Sequence, residues 1–180
     1  GVKSINVTAR KTWNAFANKR IFRTIPGTMP RSTRWPEVDI TMIRENIEDT
    51  YGGIEHMQTR DVAQCRRLIT RPGCEQVMRY AFEVVRRKKA RRITCGHKAN
   101  IMKMTDGLFL QVFREVALDY PELRADDQIV DALAMNLVMS PGDFDVVVLP
   151  NLQGDILSDV CAGLVGGLAY APSANIGDDI

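Results

Sequence analysis

From Val146 to Leu149 the chain reads Val-Val-Val-Leu without a polar residue, between Phe144-Asp145 and Pro150. Successive strand residues face opposite sides of a sheet, so a strand that is apolar at every position is hidden only where both faces are covered. Phe144 to Leu149 is therefore predicted to be a buried parallel strand, and Asn151 to Leu168, with Gly163, Gly166 and Gly167 near its end, the helix that follows it. A strand that passes directly into a helix is the repeating unit of layered α/β folds.

The remaining periodicities agree. Val7, Ala9, Trp13, Phe16 and Ala17 recur at helical spacing and predict a helix over Asn6 to Lys19, followed by a short strand from Arg20 to Ile25. Gly27 to Pro36 is a loop by composition, and Val38 to Ile43 is β-branched enough for a strand that ends at Arg44. Tyr51 to Thr70 reads as a two-stranded arm leading to a helix over Glu75 to Arg87. Ile93 to Gly96 is a brief strand, and Met102, Leu108, Val112, Phe113 and Val116 mark a helix over Asn100 to Asp119. A further helix is expected over Asp131 to Val138, and Gly166 to Gly177 is a candidate crossing point to another domain. There is no internal repeat and no low-complexity tract.

Charge excludes some partners. A net charge of +2 creates no general field for nucleic acid or an anionic membrane, and 45% apolar with 26% charged residues is ordinary for a soluble domain of 180 residues. The basic run Arg86-Arg87-Lys88-Lys89, with Arg91 and Arg92, fits a helix end whose dipole it complements. Cys65, Cys74, Cys95 and Cys161 share no metal-like spacing and read as free thiols of a reducing compartment, cytoplasmic or mitochondrial matrix. No apolar run reaches the roughly 20 residues that span a bilayer. A start at Gly1 and a stop at Ile180 suggest a piece of a longer protein.

Asp155 and Asp159 are four apart on the expected helix and can meet one hard divalent cation together; Asp131 could join them in an oxygen-rich site for magnesium or manganese. Taken singly, the pair also fits a solvated helix face and Asp131 an N-cap. Arg10, Arg20 and Arg44 lie on separate elements where guanidinium groups can converge on carboxylates, although surface ion pairs are the ordinary role of a lone arginine. Tyr51 and Lys98 are candidate proton carriers, or else a partly buried phenol and a surface ammonium. His56 and His97 form no ligand pair and read as packing or hydrogen-bonding residues.

Three ordered stretches go further: Arg44-Glu-Asn-Ile-Glu-Asp-Thr-Tyr51-Gly-Gly-Ile-Glu-His56, His97-Lys98-Ala-Asn100-Ile-Met-Lys103 and Asn151-Leu-Gln-Gly-Asp155-Ile-Leu-Ser-Asp159. Together they resemble the isocitrate and isopropylmalate dehydrogenase family, and the likeness runs through nearly the whole chain. The resemblance implies a three-layer α/β small domain from 1–50 and 73–177, a β clasp arm over 51–72, and at 178–180 the return to a large nucleotide-binding domain that is mostly absent here. It implies that Ser4 and Asn6 contact the substrate's distal carboxylate arm, where isopropylmalate enzymes place apolar residues. Such polar groups reject an apolar isostere that leaves them unpaired, which favours isocitrate.

The resemblance further implies oxidative decarboxylation of isocitrate to 2-oxoglutarate with NAD or NADP and magnesium or manganese. Arg10, Arg20 and Arg44 would clamp carboxylates with help from Asn100; Asp131, Asp155 and Asp159 would hold the metal. Lys98 would take or relay the hydroxyl proton and Tyr51 would return one to the enolate. Lys98, Asn100 and Asp131 would come from one subunit and the rest from the other, so a homodimer or a paired homologous subunit is expected. Gln153, Gly96 and Ile47 depart from the family pattern without removing a proposed catalytic group. The family's Gly-rich N-terminal segment and its His-Gly-Ser-Ala-Pro adenosine loop lie outside these residues, so the cofactor-binding residues are unknown. Homoisocitrate or isopropylmalate-type dehydrogenases, and a non-catalytic structural subunit, are the alternative readings.

Overall fold

The computed structural model describes residues 5–28 and 35–178, apart from the side chains of Asn6 and Val7. The Val146–Leu149 strand (β7) is buried at every position, as its composition requires. Val146 and Val148 face one hydrophobic cluster with Cys74, Val77, Phe82, Phe109 and Phe113; Val147 and Leu149 face another with Leu133, Leu137, Leu157 and Cys161. The helices Arg71–Lys88 (α2) and Thr105–Ala117 (α3) thus cover one side of the sheet, and Val130–Met139 (α4) and Asn151–Val165 (α5) the other. This is the expected three-layer α/β arrangement.

The strands are Ala17–Arg23 (β1), Asp39–Glu45 (β2), Arg92–His97 (β5), Arg124–Ile129 (β6) and Ser173–Ile176 (β8) besides β7, in the spatial order β6-β5-β7-β2-β1-β8. β6, β5, β7 and β2 run parallel; β1 is antiparallel to both β2 and β8. The ends of β2, β5 and β7 therefore open on one edge of the sheet, where chain-end residues of parallel strands face a crevice.

Several boundaries differ from expectation. The first helix (α1, Ile5–Thr12) stops at Thr12 instead of continuing to Lys19. Asn14 turns left-handed at φ 44, a conformation its short polar side chain tolerates, and Phe16 and Ala17 enter the core just before and at the start of β1. α3 begins at Thr105 because 98–104 forms turns, and α5 ends at Val165 where Gly166 takes φ 112. The strands β6 and β8 were not expected. Both lie at sheet edges, and Arg-Ala-Asp-Asp-Gln-Ile in β6 and Ser-Ala-Asn-Ile in β8 lack the apolar pattern that burial imposes. The basic run ends α2 as anticipated, with Lys89 as its left-handed cap.

The arm is a hairpin of Glu55–Thr59 (β3) and Val62–Cys65 (β4), exposed along both strands and unpaired with the main sheet. All four cysteines are free, and burial pushes the Cys74 and Cys161 thiols up to about 12. No helix among the described residues is long and apolar enough to cross a membrane.

Gly96 has a packing reason. A Cβ there would run into the ends of Leu149 and Leu133, which fill the space a β-branched residue would take. Gly96→Val should cost about 1–3 kcal/mol through overpacking, read as an earlier midpoint in chemical denaturation; an unchanged midpoint would mean both leucines move aside freely.

Candidate active site in two halves

The first half forms where β2 meets the start of α5. Arg44, 2% exposed, donates from Nε and Nη2 to Asn151 Oδ1 at 2.9 and 2.7 Å and from Nη1 to Asp155. Gly154 permits this approach, since a Cβ there would press on the Cβ and Cγ of Arg44 at 2.9 and 2.8 Å. The Arg44 guanidinium lies 4.9 Å from the centre of the Tyr51 ring, and the Tyr51 hydroxyl donates to Asp155 Oδ2 at 2.6 Å. On neighbouring β1, Arg20 donates to Ser158 Oγ at 2.8 Å and stands 3.5 Å from Asp159 and 3.9 Å from Asp155.

Electrostatics ties these groups together. Arg44 is lowered from its ordinary value, first by burial and then by the charges of Arg10 and Arg20, against the pull of Asp155. Arg10 and Arg20 therefore lie close enough to act on Arg44, and Arg10 Nε is buried without a hydrogen-bond partner among the described residues. A buried, unpaired guanidinium nitrogen within a cationic group is a place for an anion, since polar groups out of water otherwise go unsatisfied. Tyr51 is raised by burial, by its bond to Asp155 and by that carboxylate's charge, so the phenol keeps its proton.

The turn after β2 aims Tyr51. Glu45 accepts from the backbone N–H groups of Ile47 and Glu48, and Asn46 donates to the Ala15 carbonyl. Glu48 receives the N–H and hydroxyl of Thr70, the N-cap of α2. Ile47 packs against the α2–α3 core, which accounts for an apolar residue there.

The second half follows β5. Lys98 Nζ donates to Asp131 Oδ1 at 2.5 Å, and that pairing holds the Asp131 carboxyl below the usual carboxylate range. Asn100 is exposed in the next turn. His97 is buried; its Nδ1 accepts from Ala99 N–H, so its Nε2–H donates to Asp127 at 3.0 Å. This is the hydrogen-bonding role expected of it, whereas His56 sits on the exposed arm.

Tyr51, Arg20, Arg44, Asp155 and Asp159 thus come together, as do Lys98 and Asp131. Among the described residues no hydrogen bond or ion pair joins the two groups. Among the described residues no three His, Cys, Asp or Glu side chains of one chain could hold a metal ion, so Asp131, Asp155 and Asp159 form no single-chain site. Ser4 lies outside the described residues, as does the side chain of Asn6. Asn151, Ser158 and the buried carboxylates Asp49 and Asp106 were not singled out from sequence. Only Asn151 carried a signal, as a polar residue just beyond a buried strand.

A family model described as isocitrate/isopropylmalate dehydrogenase matches residues 1–180. Isocitrate dehydrogenase (NAD) catalytic subunit 5, mitochondrial, of Arabidopsis thaliana is 48% identical over 179 residues, covering 99% of this chain and 47% of that protein. The chloroplastic 3-isopropylmalate dehydrogenase of Solanum tuberosum is 46% identical over 178 residues, covering 99% and 49%. The crystal structure of isocitrate dehydrogenase from Methylococcus capsulatus superposes with a TM-score of 0.94 at 46% identity, covering 99% of this chain and 53% of that one. The chain spans about half the length of each.

Because the Asp155 charge helps to raise Tyr51, Asp155→Asn should bring the phenol down toward its ordinary value. The difference in ultraviolet pH titration between Asp155→Asn proteins with and without Tyr51→Phe measures it; an unmoved Tyr51 would contradict the coupling.

Proposed function

The chain belongs to the isocitrate/isopropylmalate dehydrogenase family, and from that premise we propose that the whole protein decarboxylates isocitrate oxidatively to 2-oxoglutarate with NAD or NADP. The observation that carries the reading is the convergence of Arg20 and Arg44 on Asp155 beside Tyr51, with the charge of Arg10 close enough to act on Arg44. Guanidinium groups outnumber carboxylates there, which suits a polycarboxylate held by bidentate pairs.

The donor set fits a hard cation such as magnesium or manganese, because Asp155, Asp159 and Asp131 offer only carboxylate oxygen. Asp159 and Asp131 have side chains 65% and 69% exposed and are reachable. Asp155 and Asp159 of one chain with Asp131 of another would hold the ion, whose chemistry when bound is Lewis-acid polarisation of the substrate carbonyl.

The chain's own residues divide the remaining work. The arginines fix the carboxylates, and Lys98 takes or relays the proton of the substrate hydroxyl; a bound nicotinamide would supply the hydride acceptor. Tyr51, protonated at rest, delivers a proton to the carbon that carbon dioxide has left. Both proton carriers are general acid–base groups, for which position is decisive.

Three features support a shared site built from two chains. Asp131 of the Lys98–Asp131 half is open to solvent, and the arm is an exposed ribbon of a kind that is marginal alone in water. On the outer side of α4 and α5, Met135, Met139 and Ile156 are 59%, 47% and 57% exposed, an apolar face that a second copy or a homologous subunit would cover.

A 3-isopropylmalate substrate is the second reading, favoured by the potato relative; a homoisocitrate-type substrate is a variant of the first. Retention of Tyr51, Lys98 and the three aspartates speaks against a purely structural subunit.

The full-length natural protein should reduce NAD or NADP when given isocitrate and magnesium or manganese, and lose that activity to a chelator. Lys98→Met should abolish turnover while KM for isocitrate stays nearly constant, since a transition-state role is removed and not a binding contact. Turnover of 3-isopropylmalate alone would replace the substrate assignment, and a folded, inert protein would overturn the enzymatic one.

A further inference from the structure

Between the two halves lies a buried ionic chain that neither uses directly. Asp49 and Asp106 are both 0% exposed. Arg67, its side chain 14% exposed, stands between them: Nε is 2.7 Å from Asp49 Oδ1 and Nη1 is 2.8 Å from Asp106 Oδ1. One guanidinium cannot balance two buried carboxylates. Helix N-termini supply the rest, because Asp49 Oδ2 accepts from Leu152 N–H in the first turn of α5 and Asp106 sits in the first turn of α3.

Each carboxylate also grips one half of the site. Asp49 precedes Tyr51 by two residues and holds Thr50 N–H through Oδ1. Its backbone is at φ 68, ψ −151, a region essentially reserved for glycine. Such strain persists only where surrounding bonds over-determine it; here the Leu68 carbonyl, Leu152 N–H and Arg67 all bind Asp49. On the other side, Asp106 Oδ2 accepts from the backbone N–H of Lys98 at 2.6 Å and from Gln153 Nε2 at 2.9 Å. The Gln153 that departs from the family pattern thus ties α5 into the same chain.

We propose that Arg67 is a positioning residue: by bridging Asp49 and Asp106 it sets Tyr51 in one half and the Lys98 backbone in the other. Its consequence for turnover rests on the function proposed above; the bridge itself rests on the contacts alone. A purely structural ion pair is often replaceable by apolar residues at little cost. A positioning bridge is not, because small misplacement of proton carriers lowers the rate without weakening binding.

In the full-length protein, Arg67→Met should raise amide exchange in both segments, 49–52 and 97–106. It should lower kcat by about ten- to a hundredfold while KM for isocitrate changes less than about threefold. Arg67→Lys, whose single ammonium reaches one carboxylate at a time, should give an intermediate kcat. If Arg67→Met fails to fold, Asp106→Asn keeps the shape, removes the charge and is held to the same two readouts. Exchange unchanged in either segment overturns the bridge; exchange raised in both with kcat unchanged overturns the positioning role. The exchange measurement decides the bridge whether or not the protein turns over isocitrate, so wild-type inertness would count against the proposed function alone.

Discussion

The buried contact of Arg44 with Asn151 and Asp155 is the constraint on which the rest of the molecule depends. A guanidinium that is 2% exposed is costly unless every donor finds an acceptor, and its partners come from the first two turns of α5. That fixes where α5 begins relative to the end of β2, which in turn requires β7 beside β2 and glycine at 154. The same pairing draws Asp155 toward the Tyr51 hydroxyl and Arg20 toward Asp159. Core packing and site geometry are therefore one problem: the helix that closes the second hydrophobic cluster with Leu157 and Cys161 also carries the carboxylates.

Much of this was legible in the residues. The unbroken apolar run at 146–149 required a two-sided layer, and the four-residue spacing of Asp155 and Asp159 placed both on one helix face. Edge strands were not legible. β6 and β8 keep solvent on one side and so carry charged or small polar residues that resemble loop sequence. The end of α1 was missed because Phe16 and Ala17 keep helical spacing by chance while Ala17 opens β1 and Phe16 lies just before it.

Lone charges were the least legible. Nothing near Asp49, Arg67 or Asp106 in sequence marks them as partners, since their pairing depends on how the arm, α3 and α5 fold together. Arg10, Arg20 and Arg44 were singled out as guanidinium groups able to converge on carboxylates, and the charges of Arg10 and Arg20 do act on Arg44. Lys98 pairs with Asp131, and Tyr51 with Asp155.

Complementation tests most directly whether two chains share a site. Full-length Lys98→Met and Tyr51→Phe proteins, each inactive alone, would be unfolded together, refolded and assayed with isocitrate, metal and nucleotide. If Lys98 of one chain completes the site of Tyr51 on another, random pairing should restore about a quarter of the parental activity, because half the dimers are mixed and each has one intact site. No recovery, with mixed dimers demonstrated by mass, would mean that both residues serve the same chain and that the two-chain account is wrong.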